Sequence, residues 1–180
     1  MKARDRITNL SKTFMLEGFK SRSSNVDEKL LAKLILEDSK LLSKQNKVIL
    51  ENYFCHPIRP HKHFDWILKH SVGSYIRFEK ENLIPMRPVE ACVLNKKFYS
   101  IRRNHLHQFN SYLSPDAVLI YFLQGEGSIH YDYYHYKKDH NRWVNSYFPG
   151  KFYIISSDIN YFLKNNTDTV YVTYACRRVS

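Results

Sequence analysis

Cysteine, glycine and proline are all scarce in this chain of 180 residues, which holds 3, 5 and 6 of them. Cys55, Cys92 and Cys176 are odd in number, far apart and outside any Cys-x-x-Cys spacing, which argues against a disulfide framework and against a zinc ribbon. Thiols used this sparingly suit a reducing, cytoplasmic compartment. No internal repeat or low-complexity segment occurs, so a solenoid is set aside. No run approaches the roughly 20 apolar residues that cross a bilayer, and the charged N-terminus lacks the apolar centre of a signal peptide. Acidic residues are in deficit as well: 17 Asp and Glu face 28 Lys and Arg, a formal charge of +11.

What the chain does have is aromatic residues, 15% of the total. Cations neutralise phosphates and flat rings stack on bases, so a nucleic-acid partner fits this composition. The same residue types also build strands and keep sheet edges in solution.

Residues 117–175 read as successive strands: VLIYFL, SIHYDYYHYK, RWVNSYF, KFYIIS, NYFLKN and VYVTYA, separated by Gly, Pro-Gly and Asn turns. Shorter strand patterns, SYIRFE and EACVLN, place the start of the β region at residue 74. Before it, Leu30, Leu31, Leu34, Ile35, Leu41, Leu42, Val48 and Ile49 recur at helical spacing, which predicts an amphipathic helix starting near Asn25 as N-cap, with Glu28 at the capping-box position. Its ordinary role is to cover one face of the sheet, and the seven-residue spacing also suits pairing of two copies as a homodimer. Residues 1–25 read as a loosely ordered or docking arm. Residues 55–70 concentrate Cys55, His56, His61, His63 and His70 without zinc-finger spacing; His61-Lys62-His63 reads as a solvated basic loop, and Phe64, Trp66, Ile67 and Leu68 as the start of a short buried helix. Residues 1–73 then form a helical arm and loop, and residues 74–180 a β-barrel domain.

The order His105-Leu106-His107, Gly125-Glu126-Gly127, Pro149-Gly150 and Asn165 resembles the two-motif layout of cupins, small barrels of the double-stranded β-helix type. The resemblance implies a mainly β, antiparallel barrel with the helix packed on it. It also implies a divalent metal on His105 and His107. Lys151, Ser156 and Tyr161 stand where the second cupin motif has Asp, Pro and a metal-binding His. A His-x-His pair on a strand directs both rings to one face, and a third ligand must come from another strand. With Tyr161 in that place the metal site is degenerate, and a non-catalytic domain binding a small polar molecule is the expectation.

Alternation along SIHYDYYHYK divides Ile129, Tyr131, Tyr133 and His135 from His130, Asp132, Tyr134 and Tyr136. If the second set faces inward, His130, Asp132 and Tyr134 with Tyr161 line a polar pocket. If the first does, the second set forms an outer aromatic strip beside basic residues, suited to single-stranded nucleic acid. His130-Tyr131-Asp132 is also similar to the start of the facial triad of 2-oxoglutarate-dependent iron oxygenases, but no histidine follows His140 to complete it. Finally, His105-Leu106-His107 and Tyr134-His135-Tyr136-Lys137 resemble the metal pair and nucleophile of HUH-type single-strand endonucleases, whose phenolate attacks a phosphodiester.

Overall fold

A computed structural model of the chain describes residues 15–46, 53–86, 89–95, 115–134, 140–157 and 159–179. Among them lie β1 (Met15–Phe19), α1 (Glu28–Asn46), β2 (Tyr53–Pro57), α2 (Lys62–Glu79), β3 (Asn82–Pro85), β4 (Glu90–Leu94), β5 (Ala117–Gln124), β6 (Gly127–Tyr134), β7 (His140–Tyr147), β8 (Lys151–Ser156), β9 (Asn160–Asn165) and β10 (Thr169–Val179). The strands pair antiparallel in a seven-stranded sheet, ordered β1-β8-β5-β10-β4-β2 with β3 also on β10, and a three-stranded sheet, β7-β6-β9.

The mainly β, antiparallel class is as the turn spacing predicts, but the barrel does not close. Among the described residues no ladder joins the two sheets. Among the described residues the edge strands are β1, β2 and β3 on one sheet and β7 and β9 on the other. Two of them, β1 and β2, come from before residue 74, from segments expected to be an arm and a loop. Short strands of five residues carry too little alternation to be seen until a partner fixes their register. The division expected between residues 73 and 74 falls inside α2.

Two cores result. Strand β5 serves both, which is why AVLIYFL is an unbroken apolar run. Ala117, Leu119, Tyr121 and Leu123 face the helices with Leu31, Ile35, Phe64, Ile67 and Tyr75. Val118, Ile120 and Phe122 face the small sheet with Ile129, Tyr131, Tyr161 and Leu163. The turn from β5 to β6 depends on Gly125, whose φ of 93° is left-handed and whose missing Cβ would lie 2.5 Å from the Asp168 carbonyl.

Helix α1 packs on the large sheet through Leu31, Ala32 and Ile35, as its periodicity predicts. Its cap differs by two positions: Asp27 Oδ1, not Asn25, accepts from the Leu30 N–H at 3.0 Å. Glu28 does not turn back to cap the helix. It is 7% exposed and accepts from the Tyr121 hydroxyl at 2.8 Å and from Lys20 Nζ at 2.7 Å.

Helix α2 overturns two expectations. SYIRFE, read as a strand, is its last part, because Phe64, Ile67, Ser71 and Tyr75 are buried at three- and four-residue steps while Ile76 is 42% exposed. His61-Lys62-His63 is not a solvated loop either: His61 caps α2, which begins at Lys62, and His63 is buried against Trp66, while the buried helix expected from Phe64 is present; His56 is buried on β2 with Nε2 2.7 Å from Ser39 Oγ.

The backbone N–H of Asp27 donates to His63 Nδ1 at 3.0 Å, so that nitrogen carries no proton. Burial, then His61 and Lys62, hold the His63 pKa below the ordinary 6.5, against the smaller pull of Asp27 and Glu28. The unfolded chain therefore binds a proton that the folded chain refuses, so this group makes stability fall as pH drops below about 6.5 and level off under the folded pKa. Urea midpoints across that interval are expected to decline in the natural protein and to decline less in His63→Asn, whose amide oxygen accepts without titrating. Parallel declines would remove His63 as the cause.

Candidate functional site

Six aromatic rings stand among the aliphatic side chains that fill the space between the sheets. Phe122 stacks on Tyr147 at 4.1 Å between centroids and lies 5.6 Å from Tyr171. Their hydroxyls are anchored: Tyr147 to Thr169 Oγ1 at 2.9 Å, Tyr153 to the Ser146 carbonyl at 2.8 Å, and Tyr131 as acceptor from Asn145 Nδ2 at 3.2 Å. Burial pushes the Tyr147 pKa up to about 12, and burial together with the Glu17 charge does the same for Tyr131. These phenols are neutral at ordinary pH and act as hydrogen-bonding groups rather than nucleophiles.

At the β2 edge of this core the chemistry changes. Antiparallel pairing sets Cys55 of β2 directly opposite Cys92 of β4, and alternation brings Glu90 to the same face as Cys92. The two Sγ atoms are 3.0 Å apart, and Cys92 Sγ donates to Glu90 Oε1 across 3.8 Å. Among the described residues, this is the grouping of three His, Cys, Asp or Glu side chains whose ligand atoms converge, all within 4.8 Å. Cys92 is buried, whereas Cys55 and Glu90 reach partly to solvent, so the group stands on the border of the core. None of the cysteines forms a disulfide. Cys176 lies apart, its thiol pushed up to about 12 by burial and so held protonated. Sequence spacing could not reveal the pair, since 37 positions separate Cys55 from Cys92.

The residues singled out in the sequence are dispersed. His105 and His107 lie outside the described residues. His130 and Tyr161 occupy opposite faces of the small sheet: Tyr161 pairs with Tyr131 and is buried in the inter-sheet core, while His130 pairs with Phe162 and stacks on its ring at 4.7 Å outside. They do not line a common pocket. Burial, and then the Lys164 charge, lower the His130 pKa, which favours the neutral ring. Asp132 and Tyr134 follow on β6 at register positions opposite Arg142 and His140. Ile129 and Tyr131, the members of the first set whose side chains are described, are buried in the inter-sheet core.

Solved structures are similar in fold to this chain over nearly its full length. A prolyl-4-hydroxylase from Pseudomonas putida matches with a TM-score of 0.63 at 10% identity, covering 98% of this chain and 99% of that one. The viral collagen prolyl hydroxylase of Paramecium Bursaria Chlorella virus-1, solved as its 2OG complex, matches with a TM-score of 0.56 at 14% identity, covering 94% and 97%. The fold is cupin-like. A third match is AviO1 from Streptomyces viridochromogenes, with a TM-score of 0.52 at 8% identity, covering 97% of this chain and 95% of that one. No protein-family model matches the chain, and no curated protein matches it. No helix among its described residues is long and apolar enough to cross a membrane.

Proposed function

We propose that this cupin-like chain binds a small polar ligand beside a divalent metal held by Cys55, Glu90 and Cys92. The observation that carries the reading is the convergence of two thiols and a carboxylate at the solvent border of the inter-sheet core. The donor chemistry fits a soft or borderline cation, because thiolates select zinc-like metals and carboxylate oxygen completes such sites. Tetrahedral zinc needs its sulfurs about 3.8 Å apart, given Zn–S distances of about 2.3 Å. The thiols stand at 3.0 Å, so loss of their protons and a small opening of the β2 edge would suffice.

Three protein donors leave one position of a tetrahedral ion for a ligand, and a metal bound there supplies Lewis acidity. Glu90 and Cys55 would hold the exposed side of the ion, and Cys92 the buried side. The hydroxylases that share this fold are named for chemistry on proline, and by that likeness the ligand of this chain would be a substrate. Cobalt titration of the reduced protein tests the site: thiolate coordination is expected to give an intense near-ultraviolet charge-transfer band, lost in Cys55→Ser and Cys92→Ser. A band that survives both substitutions places the metal elsewhere, and the absence of any band sinks the reading. The expectation that a metal sits on His105 and His107 is distinguished by the same titration, since imidazole donors give no such band.

A second reading rests on the inward set of β6. The outer face of the small sheet carries the stacked His130 and Phe162, Val144 at 56% exposed, and Lys164. Rings beside a cation suit single-stranded nucleic acid. Binding to an oligonucleotide is expected to weaken with rising salt and to lose about 1–3 kcal/mol in Phe162→Ala. No salt-dependent binding at low ionic strength removes this reading. The HUH-type version, with Tyr134 or Tyr136 as nucleophile, rests on the sequence alone.

A further inference from the structure

On the other side of the large sheet, α2 and the segment between β1 and α1 enclose a cavity of about 450 Å³ that the metal corner does not touch. Lys20, Lys69 and Arg77 line it, together with serines from both segments, and no carboxylate is among its lining residues. Lys20 is tied to Glu28 at 2.7 Å, and Arg77 Nη2 rests 3.3 Å from Ser74 Oγ. Lys69 and Arg77 have no carboxylate partner among the described residues.

Ser71, in the wall of the cavity, is the informative residue. It is 1% exposed, and its hydroxyl has no hydrogen-bond partner. Buried hydroxyls are nearly always paired, at a cost of about 1–3 kcal/mol when they are not. A mid-helix serine can satisfy itself on the carbonyl four residues back. Ser39 of α1 does so, donating to the Ile35 carbonyl at 2.7 Å. Ser71 does not, and it shares the lining of the cavity with Lys69 and Arg77. Gly73, on the same wall, leaves the space open: a Cβ there would meet nothing within 4 Å.

Guanidinium, ammonium and hydroxyl donors around a space without carboxylates are the means by which proteins hold phosphate. The rings of Tyr121 and Phe152 close the apolar side. We propose that this cavity binds a small organic phosphomonoester, with Arg77 and Lys69 neutralising the phosphate, Ser71 donating to it, and the organic group lying toward Tyr121 and Phe152. A turn about the Ser71 side chain supplies the donor that the helix leaves unused.

Calorimetric titration of the full chain with phenyl phosphate, ethyl phosphate, inorganic phosphate and dimethyl phosphate tests this. Saturable binding of at least one of the two monoesters is expected, tighter than inorganic phosphate and tighter than the diester. Arg77→Ala should weaken it about tenfold, the loss of one charge-assisted contact. Gly73→Leu should abolish it while leaving the fold intact, since the added side chain enters open space. Ser71→Ala should weaken binding and leave the urea midpoint unchanged or higher, whereas a purely structural serine would move only the midpoint. The proposal is overturned if neither monoester binds at millimolar concentration. Binding that Arg77→Ala and Gly73→Leu leave unchanged also overturns it, as does binding in which inorganic phosphate or the diester equals the monoesters.

Discussion

Replacing Phe122 by alanine is expected to destabilise the folded chain by about 3–5 kcal/mol, read as a lower urea midpoint. Phe122 is fully buried on the central strand of the large sheet, and it touches rings from three others. It stacks on Tyr147 of β7, stands edge-on to Tyr153 of β8 at 6.3 Å and tilts against Tyr171 of β10. Truncation would leave a cavity between the sheets that the remaining rings cannot fill, because the Tyr147 and Tyr153 hydroxyls are fixed by their hydrogen bonds. Total stability of a domain is commonly about 5–15 kcal/mol, so this one change removes a large share. Phe122→Leu keeps most of the volume and should cost much less; equal losses in the two variants would show that the stacked geometry, and not the volume, carries the effect.

Zinc is expected to raise the thermal midpoint of the reduced natural protein and to leave that of Cys92→Ser unmoved. At a free-metal concentration about a hundred times the dissociation constant, binding to the folded state alone adds about 2.7 kcal/mol. For a chain of this size each kcal/mol moves the midpoint by about 2–4 °C, so a rise of about 5–10 °C is expected. Cys176→Ser serves as the control that keeps the zinc response, because that thiol lies apart from the donor group and is held protonated by burial. A rise of the same size in Cys92→Ser would detach the metal from this corner.

The strands from β5 to β10 that lie in the described residues were legible because each is long or alternates clearly between turn residues, and the short β4 because it is a run of Ala, Cys, Val and Leu. KFYIIS, NYFLKN and VYVTYA need no partner to be recognised. The strands β1, β2 and β3 were not, since each is as short as β4 but interrupted, by Gly18, by His56-Pro57 and by Pro85. SYIRFE satisfies both a two-residue and a helical period, and only the burial of Phe64, Ile67 and Ser71 upstream settles it. Glu28 was legible as a residue near a helix start but not as a buried acid, because its partner Tyr121 is 93 positions away. The candidate metal donors share that difficulty: Cys55 and Glu90 meet only through the β2–β4 register, a relation between distant segments that no local pattern encodes. On β6, aromatic and polar residues occupy both alternating sets, so its inward face could not be chosen before Ile129 and Tyr131 were seen in the core.

Strand β10 pairs with β5 along one side and with β4 and β3 along the other. It is therefore the seam between β1-β8-β5 and the strands β4, β2 and β3, all of which precede it in the chain. During synthesis these two half-sheets emerge with unpaired edges and stay apart until residues 169–179 leave the ribosome. Until then each half offers a row of free backbone donors and acceptors to any strand it meets. Assembly of the large sheet is thus a single event of strand insertion, and the nascent chain depends on protection of those edges up to that moment.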